Sequence, residues 1–149
     1  YEIIDIQGSN AKDFRGATHR VSPNATALHM QKILNALKTN TIIVRVRTMH
    51  KKQNFLCLIK KMPLGLQALL TGLAALKKNV ILVVATTPYA LAFLPKYPTI
   101  IAYESVPEAV DAAMAVLFGK AEATGVLPIA LSDSCTSATT ESQSPALGC

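Results

Sequence analysis

Apolar positions along this chain follow two periods, one of strands and one of helices. Val80 to Ala85 is an unbroken apolar run, mostly β-branched, bounded by Asn79 and by Thr86-Thr87-Pro88. Such a run between turn residues predicts a strand buried on both faces. Shorter runs at Glu2 to Ile6, Thr41 to Arg47, Thr99 to Tyr103 and Leu127 to Leu131 predict further strands. In Thr41 to Arg47, Arg45 and Arg47 alternate with apolar neighbours, which predicts a partly solvated face or a place near an edge. Helical spacing joins Met30, Ile33, Leu34 and Leu37. It recurs in Leu66, Leu69, Leu70, Leu73 and Leu76, and in Val106, Ala109, Val110, Ala113 and Leu117.

Local signals predict the ends of these elements. Ser22-Pro23 reads as a helix start, with Lys38 at the negative end of the dipole and Asn40 as a left-handed stop. Pro63 to Lys78 reads as a helix in which Gly65 and Gly72 each cost about 1 kcal/mol relative to alanine. Ser105 and Glu108 have the spacing of a capping box, with Pro107 in the first turn and Gly119 placed to end the helix. The stretch Leu73 to Val83 echoes Leu34 to Val44: amphipathic end, lysine, asparagine, strand. Two such units favour parallel crossovers. The predicted fold is therefore α/β, a three-layer sandwich with a mostly parallel, flavodoxin-like sheet of about five strands. Residues 1–131 form the domain. Asn10 to Arg20 reads as polar and irregular, and Ser132 to Cys149, lacking apolar periodicity, as a disordered tail.

The second half of the domain also carries a resemblance. Thr87-Pro88-Tyr89, Ala102-Tyr103, Pro107-Glu108-Ala109, Leu117-Phe118-Gly119 and Gly125-Val126-Leu127-Pro128 follow one another in that order. This series resembles the end of the C-terminal α/β domain of family-three glycoside hydrolases, above all the β-N-acetylglucosaminidase type. It covers the last third of the domain well and the preceding third loosely. The resemblance implies an accessory domain beside a (β/α)-barrel, with carbohydrate as the substrate class. In that family the nucleophilic aspartate lies on the barrel. In glucosidase-type members a glutamate of the α/β domain acts as the acid; in the acetylglucosaminidase type the barrel supplies that role too. Thr48 to Leu64 contains no Asp or Glu, which leans toward the latter and leaves no catalytic residue to carry over.

Composition narrows the alternatives. The 149 residues suffice for one domain with a substantial core. Half are apolar, the net charge is +6, aromatic residues are 5% and Trp is absent. Mean hydropathy is +0.32 and the pI about 9.4. A basic balance permits an anionic partner without requiring one, and the aromatic supply is poor for stacking on single strands. Cys57, Cys135 and Cys149 have no paired Cys or His spacing, so neither a zinc site nor a disulfide framework is expected. No nucleotide-binding glycine motif or nucleophile elbow occurs, and no cofactor or metal is expected. No apolar run reaches a membrane-spanning length and no targeting segment is evident. The compartment is not fixed by these features, with cytoplasmic the nearer expectation.

Ligands of open parallel sheets bind beyond the carboxyl ends of the strands. On that rim the sequence assembles His50, Thr86, Thr87, Tyr89, Glu104 and Ser105, with Gly8, Ser9 and Thr48 beside them. Plain structural readings stand next to each: Ser105 as a cap, Thr87 as a turn residue, Tyr89 as a packing ring, His50 with no carboxylate near in sequence to orient it. Two rivals to the accessory domain remain. A small stand-alone hydrolase needs a carboxylate pair on the rim, where Glu104 is the one well-placed acid. A basic binding module uses Arg45, Arg47, Lys51, Lys52, Lys60 and Lys61. These lysines flank the apolar Phe55 to Ile59, and the same charges also suit a solvated loop.

Overall fold

A computed structural model of the chain describes residues 1–6, 18–22, 25–47 and 63–128. The elements are β1 (Glu2–Ile6), β2 (His19–Val21), α1 (Ala27–Ala36), β3 (Thr41–Arg47), α2 (Leu64–Ala75), β4 (Asn79–Ala85), a 3-10 turn (Pro88–Phe93), β5 (Thr99–Ile101) and α3 (Pro107–Leu117). The strands form one sheet in the order β2-β1-β3-β4-β5. Every pairing is parallel. The fold is α/β, and this strand order is that of flavodoxin-like sheets.

Alternation along the strands divides the core. Ile4, Ile6, Ile42, Val44, Val46, Val80, Leu82 and Val84 pack with Met30, Ile33 and Leu34 of α1 and with Leu66, Leu69, Leu70 and Leu73 of α2. Ile3, Ile43 and Val83 turn the other way and pack with Ala113 of α3. The apolar runs become strands because the interior ones lie between paired neighbours and beneath helices. β4 lies between β3 and β5, as its continuous apolar run predicts.

Several expectations are corrected. β3 is an interior strand, paired with β1 on one side and β4 on the other, and Arg45 is buried rather than solvated. The edge beside β1 is taken instead by β2, which begins within the last residues of the stretch expected to be irregular. Three residues carry too little pattern to be read, but pairing with β1 and burial of Val21 hold them. Leu127 and Pro128 are not in a strand, and Pro128 has no N–H to give to a ladder. The rest of the expected last strand, 129–131, lies outside the described residues, as do the tail 132–149 and Thr48 to Met62. β5 ends at Ile101 rather than Tyr103.

The helix ends also differ. α1 starts at Ala27, and Thr26 rather than Ser22 is the cap, accepting a 3.4 Å bond from the His29 amide. Its last turn runs into an extended Leu37 rather than a left-handed Asn40. α2 closes through Lys77, which adopts a left-handed φ of 50°. The Lys77 amide donates to the Ala74 carbonyl and the Lys78 amide to that of Leu73, the paired bonds of a Schellman motif. This tighter turn shortens the second helix-to-strand join. The echo in the sequence sets Thr41 against Val80, yet the sheet pairs Thr41 with Asn79. Leu76 is exposed, outside the stripe expected of it.

Two glycines have definite reasons. A Cβ on Gly72 would lie 2.2 Å from Leu34 Cδ1, so α1 and α2 approach through the missing side chain. Gly119, at φ 66°, ends α3 as the sequence predicts. Its amide donates to the Val116 carbonyl and that of Lys120 to the Ala115 carbonyl. At the other end of α3, Pro107 occupies the first turn, but Val106 is the cap and no side chain caps the helix. The Ser105–Glu108 box therefore does not form.

Candidate functional site

The strand order reverses between β1 and β3, and in sheets of this kind the crevice for ligands opens beyond the carboxyl ends at that point. One residue short of those ends, Asp5 of β1 is the register partner of Arg45 of β3. Both side chains lie on the face of Ile3 and Ile43, by alternation. Arg45 Nη2 donates to Asp5 Oδ2 at 2.8 Å and Arg45 Nε donates to Oδ1, a two-pronged pair. Asp5 is 1% exposed and Arg45 2%. At such depth neither charge is tolerable without the other.

More positive charge surrounds this pair. On β2, Arg20 is the register partner of Asp5. It lies on the same face, opposite to Val21, which joins the core of the other face. Arg20, Asp5 and Arg45 thus form one row across three strands. Arg47 stands two residues further toward the carboxyl end of β3, again on that face. Its Nη2 donates to the Ser105 carbonyl at 2.8 Å, which ties β3 to the approach of α3. Partial burial draws the Arg47 guanidinium below its ordinary value. The negative charge of Asp5 works against that shift, and the like charge of Arg45 adds to it.

The neighbouring rim is formed by the segments after β4 and β5. Thr86 is buried, 1% exposed, and its Oγ1 has no hydrogen-bond partner among the described residues. A buried hydroxyl left unmatched costs about 1–3 kcal/mol. Thr87 caps the 3-10 turn, its Oγ1 accepting from the Tyr89 amide at 3.2 Å. The ring of Tyr89 is exposed rather than packed. After β5, the Ala102 amide still donates to the Val84 carbonyl, at 2.9 Å. The chain then turns sharply: Tyr103 has φ 58° and the Glu104 amide donates back to the Ala102 carbonyl at 2.6 Å. A two-residue bond around a positive φ is the strained form of the γ-turn. Glu104 is exposed, and Ser105 is half-buried with its carbonyl held by Arg47.

The predicted rim residues therefore separate. Thr86, Thr87 and Tyr89 follow β4, Glu104 and Ser105 follow the adjacent β5, and Ser105 joins the arginine corner through Arg47. His50, Gly8, Ser9 and Thr48 lie outside the described residues. What sequence reasoning missed is the corner itself. A signal was present: Glu2–Ile6 and Thr41–Arg47 each place a charge between apolar residues, Asp5 in one and Arg45 in the other, with opposite signs.

Glu2, at the amino end of β1, serves the opposite rim. Its carboxylate accepts from the amides of Lys38, at 3.1 Å, and Thr39, at 3.4 Å, and from Thr39 Oγ1 at 3.3 Å. Among the described residues no group of three or more His, Cys, Asp and Glu side chains gathers as for a metal. No helix among them is long and apolar enough to cross a membrane. No family model, curated protein or solved structure matches the chain.

Proposed function

We propose that this chain forms an accessory α/β domain of a glycoside hydrolase, similar to that of family-three β-N-acetylglucosaminidases, and works beside a (β/α)-barrel that carries the bond-breaking groups. The observation that carries this reading is the fate of Asp5. Glycoside hydrolysis uses two carboxyl groups flanking one bond, one giving a proton and one attacking or activating water. Asp5 is the acid nearest the crevice among the described residues, and both its oxygens are held by Arg45. A carboxylate so engaged neither donates a proton nor attacks a sugar carbon. Glu2 is occupied by backbone amides at the other rim, and Glu104 stands exposed beyond β5. The parallel sheet and the ordered series of short motifs from Thr87 to Pro128 lend the family its support.

The test is an assay of the purified chain on chromogenic β-N-acetylglucosaminides and β-glucosides, beside Glu104→Gln. The expected result is turnover no greater than buffer in both proteins. Turnover that Glu104→Gln abolishes overturns the reading in favour of a small hydrolase. Reading the coding sequence next to that of this chain supplies a second arm, in which an in-frame barrel is expected.

A further inference from the structure

The turn after β5 is held in a form that its own residues do not favour. We propose that residues 103–105 are a two-state strap at the carboxyl rim of the sheet, kept in a strained form by Arg47 and relaxing when that hold is lost. The inference goes beyond the proposed function and does not depend on it.

Three observations converge. The first is strain. Tyr103 has φ 58°, and around it the Glu104 amide donates to the Ala102 carbonyl at 2.6 Å. A bulky residue at positive φ is an outlier, and this form of γ-turn is strained. Such conformations persist where the surroundings impose them, and they gather at switches and ligand clamps. The second is the means of holding it. The strap is fixed at both ends: the Ala102 amide donates to the Val84 carbonyl at 2.9 Å, and the Val106 carbonyl accepts from the Val110 amide at 3.2 Å. Between these points Arg47 Nη2 reaches over from β3 and donates to the Ser105 carbonyl at 2.8 Å, across 58 residues of chain. The contact is partly buried, where a bond from a charged donor is strong. The third is how little else opposes a change. No side chain caps α3, and Tyr103 is 43% exposed. Turning Tyr103 to negative φ therefore breaks no side-chain cap and empties no core position.

Lys77 provides the contrast. It too has positive φ, but two backbone bonds of its own helix end lock it, from Lys77 to Ala74 and from Lys78 to Leu73. Tyr103 depends instead on a side chain from another strand. A negative φ at Tyr103 breaks the bond from Glu104 to Ala102 and displaces the Ser105 carbonyl from Arg47. The two forms thus differ by a discrete set of bonds, as in switching segments. Arg47 makes further interactions within the protein; the bond to the Ser105 carbonyl is the one that the strap breaks on leaving. The carboxyl rim is where sheets of this kind take ligands, so a molecule that fits one form better shifts the balance toward it.

The experiment is nitrogen-15 relaxation dispersion on the full chain, which reads exchange on the microsecond-to-millisecond scale. In the parent, the amides of Tyr103, Glu104 and Ser105 should report a second form populated at about 1–10%. Arg47→Met should raise the ratio of that form to the first by about tenfold, the loss of one charge-assisted bond. Tyr103→Gly should remove the exchange, since glycine adopts positive φ without strain. The amides of Lys77 and Lys78 should stay flat in all three proteins. Flat profiles at 103–105 in both the parent and Arg47→Met overturn the proposal. Exchange in Tyr103→Gly equal to that of the parent also overturns it, as does exchange of the same size at Lys77, which would mark general mobility. If Arg47→Met fails to fold, the parent and Tyr103→Gly decide: exchange that glycine removes supports the strap, and a flat parent overturns it.

Discussion

Replacing Asp5 with leucine while keeping Arg45 strands a buried guanidinium, and the size of the penalty follows from the geometry. Two charge-assisted hydrogen bonds are lost, each contributing about 1.5–3 kcal/mol. Removing one member of a buried ion pair costs about 3–5 kcal/mol, chiefly because the other remains desolvated. Arg45→Met does the converse and strands the carboxylate, with a similar expected loss. The double variant removes both charges and leaves two apolar side chains in the row that continues to Val83. Arg45 makes further interactions, so the double variant keeps a residual cost of about 1–2 kcal/mol. It should nevertheless fall well short of the sum of the singles, with a coupling of at least ~2 kcal/mol. The assay is urea unfolding followed by far-ultraviolet circular dichroism at about 15 °C, near the usual maximum of stability. With a slope of about 2 kcal/mol per molar urea, a 4 kcal/mol loss lowers the midpoint by about 2 M. A midpoint for Asp5→Leu within ~0.5 M of the parent, or a double variant equal to the sum of the singles, refutes the description of a desolvated, coupled pair.

Two further predictions concern the helix joins. Lys77→Gly should stabilise the protein by about 0.5–1 kcal/mol, since a left-handed lysine costs about 1–2 kcal/mol and the added chain entropy of glycine offsets part of that; a thermal midpoint that falls would count against the Schellman turn at the end of α2. The Glu2 carboxyl is partly buried, which raises its pKa, but hydrogen bonds from Lys38 and Thr39 and the charge of His19 outweigh this and hold it below the ordinary 4.5. A depressed carboxyl stabilises the fold above its unfolded value and loses that contribution as pH falls through the folded one. Glu2→Gln should therefore cost about 1 kcal/mol at pH 7 and nothing once both forms are protonated, well below pH 4.5; parallel stability profiles across that range would exclude the assigned hydrogen bonds.

The interior of the sheet was legible because burial on both faces writes itself as a continuous apolar run. Val80 to Ala85 has that signature, and β4 is interior. Helix faces were legible for the same reason: Leu66, Leu69, Leu70 and Leu73 repeat at helical spacing and are buried together. Gly119 was legible because a left-handed stop favours one residue type. The Lys77 turn was not, since lysine is a poor marker for positive φ, and here the packing of the join overrides local preference. β2 was too short to carry a period, and pairing with β1 is what makes it a strand. The Ser105–Glu108 box failed because spacing is necessary for a capping box but does not set the backbone that aims the side chain. Here the approach to α3 is instead fixed by the Tyr103 turn and by Arg47 on the Ser105 carbonyl.

The least legible feature was the candidate site, and the reason is physical. Period-two alternation treats a charge in a strand as a report of solvent, because an isolated charge cannot afford burial. That inference holds one strand at a time. It fails when a neighbouring strand brings the opposite charge into register, because the energetic unit is then the pair. Neither Glu2–Ile6 nor Thr41–Arg47 holds the pair by itself; it comes into being through the sheet, which sets Asp5 beside Arg45 across 40 residues of chain. Register is in turn fixed by the apolar neighbours of both residues, since a slip of one place would turn Ile4, Ile6, Val44 and Val46 away from α1 and α2 and set the charges, out of register with each other, against those helices. The hydrophobic pattern that concealed the site is thus what assembles it. A charge enclosed by apolar residues in a predicted parallel strand is better read as a request for a partner on an adjacent strand than as an exposed position.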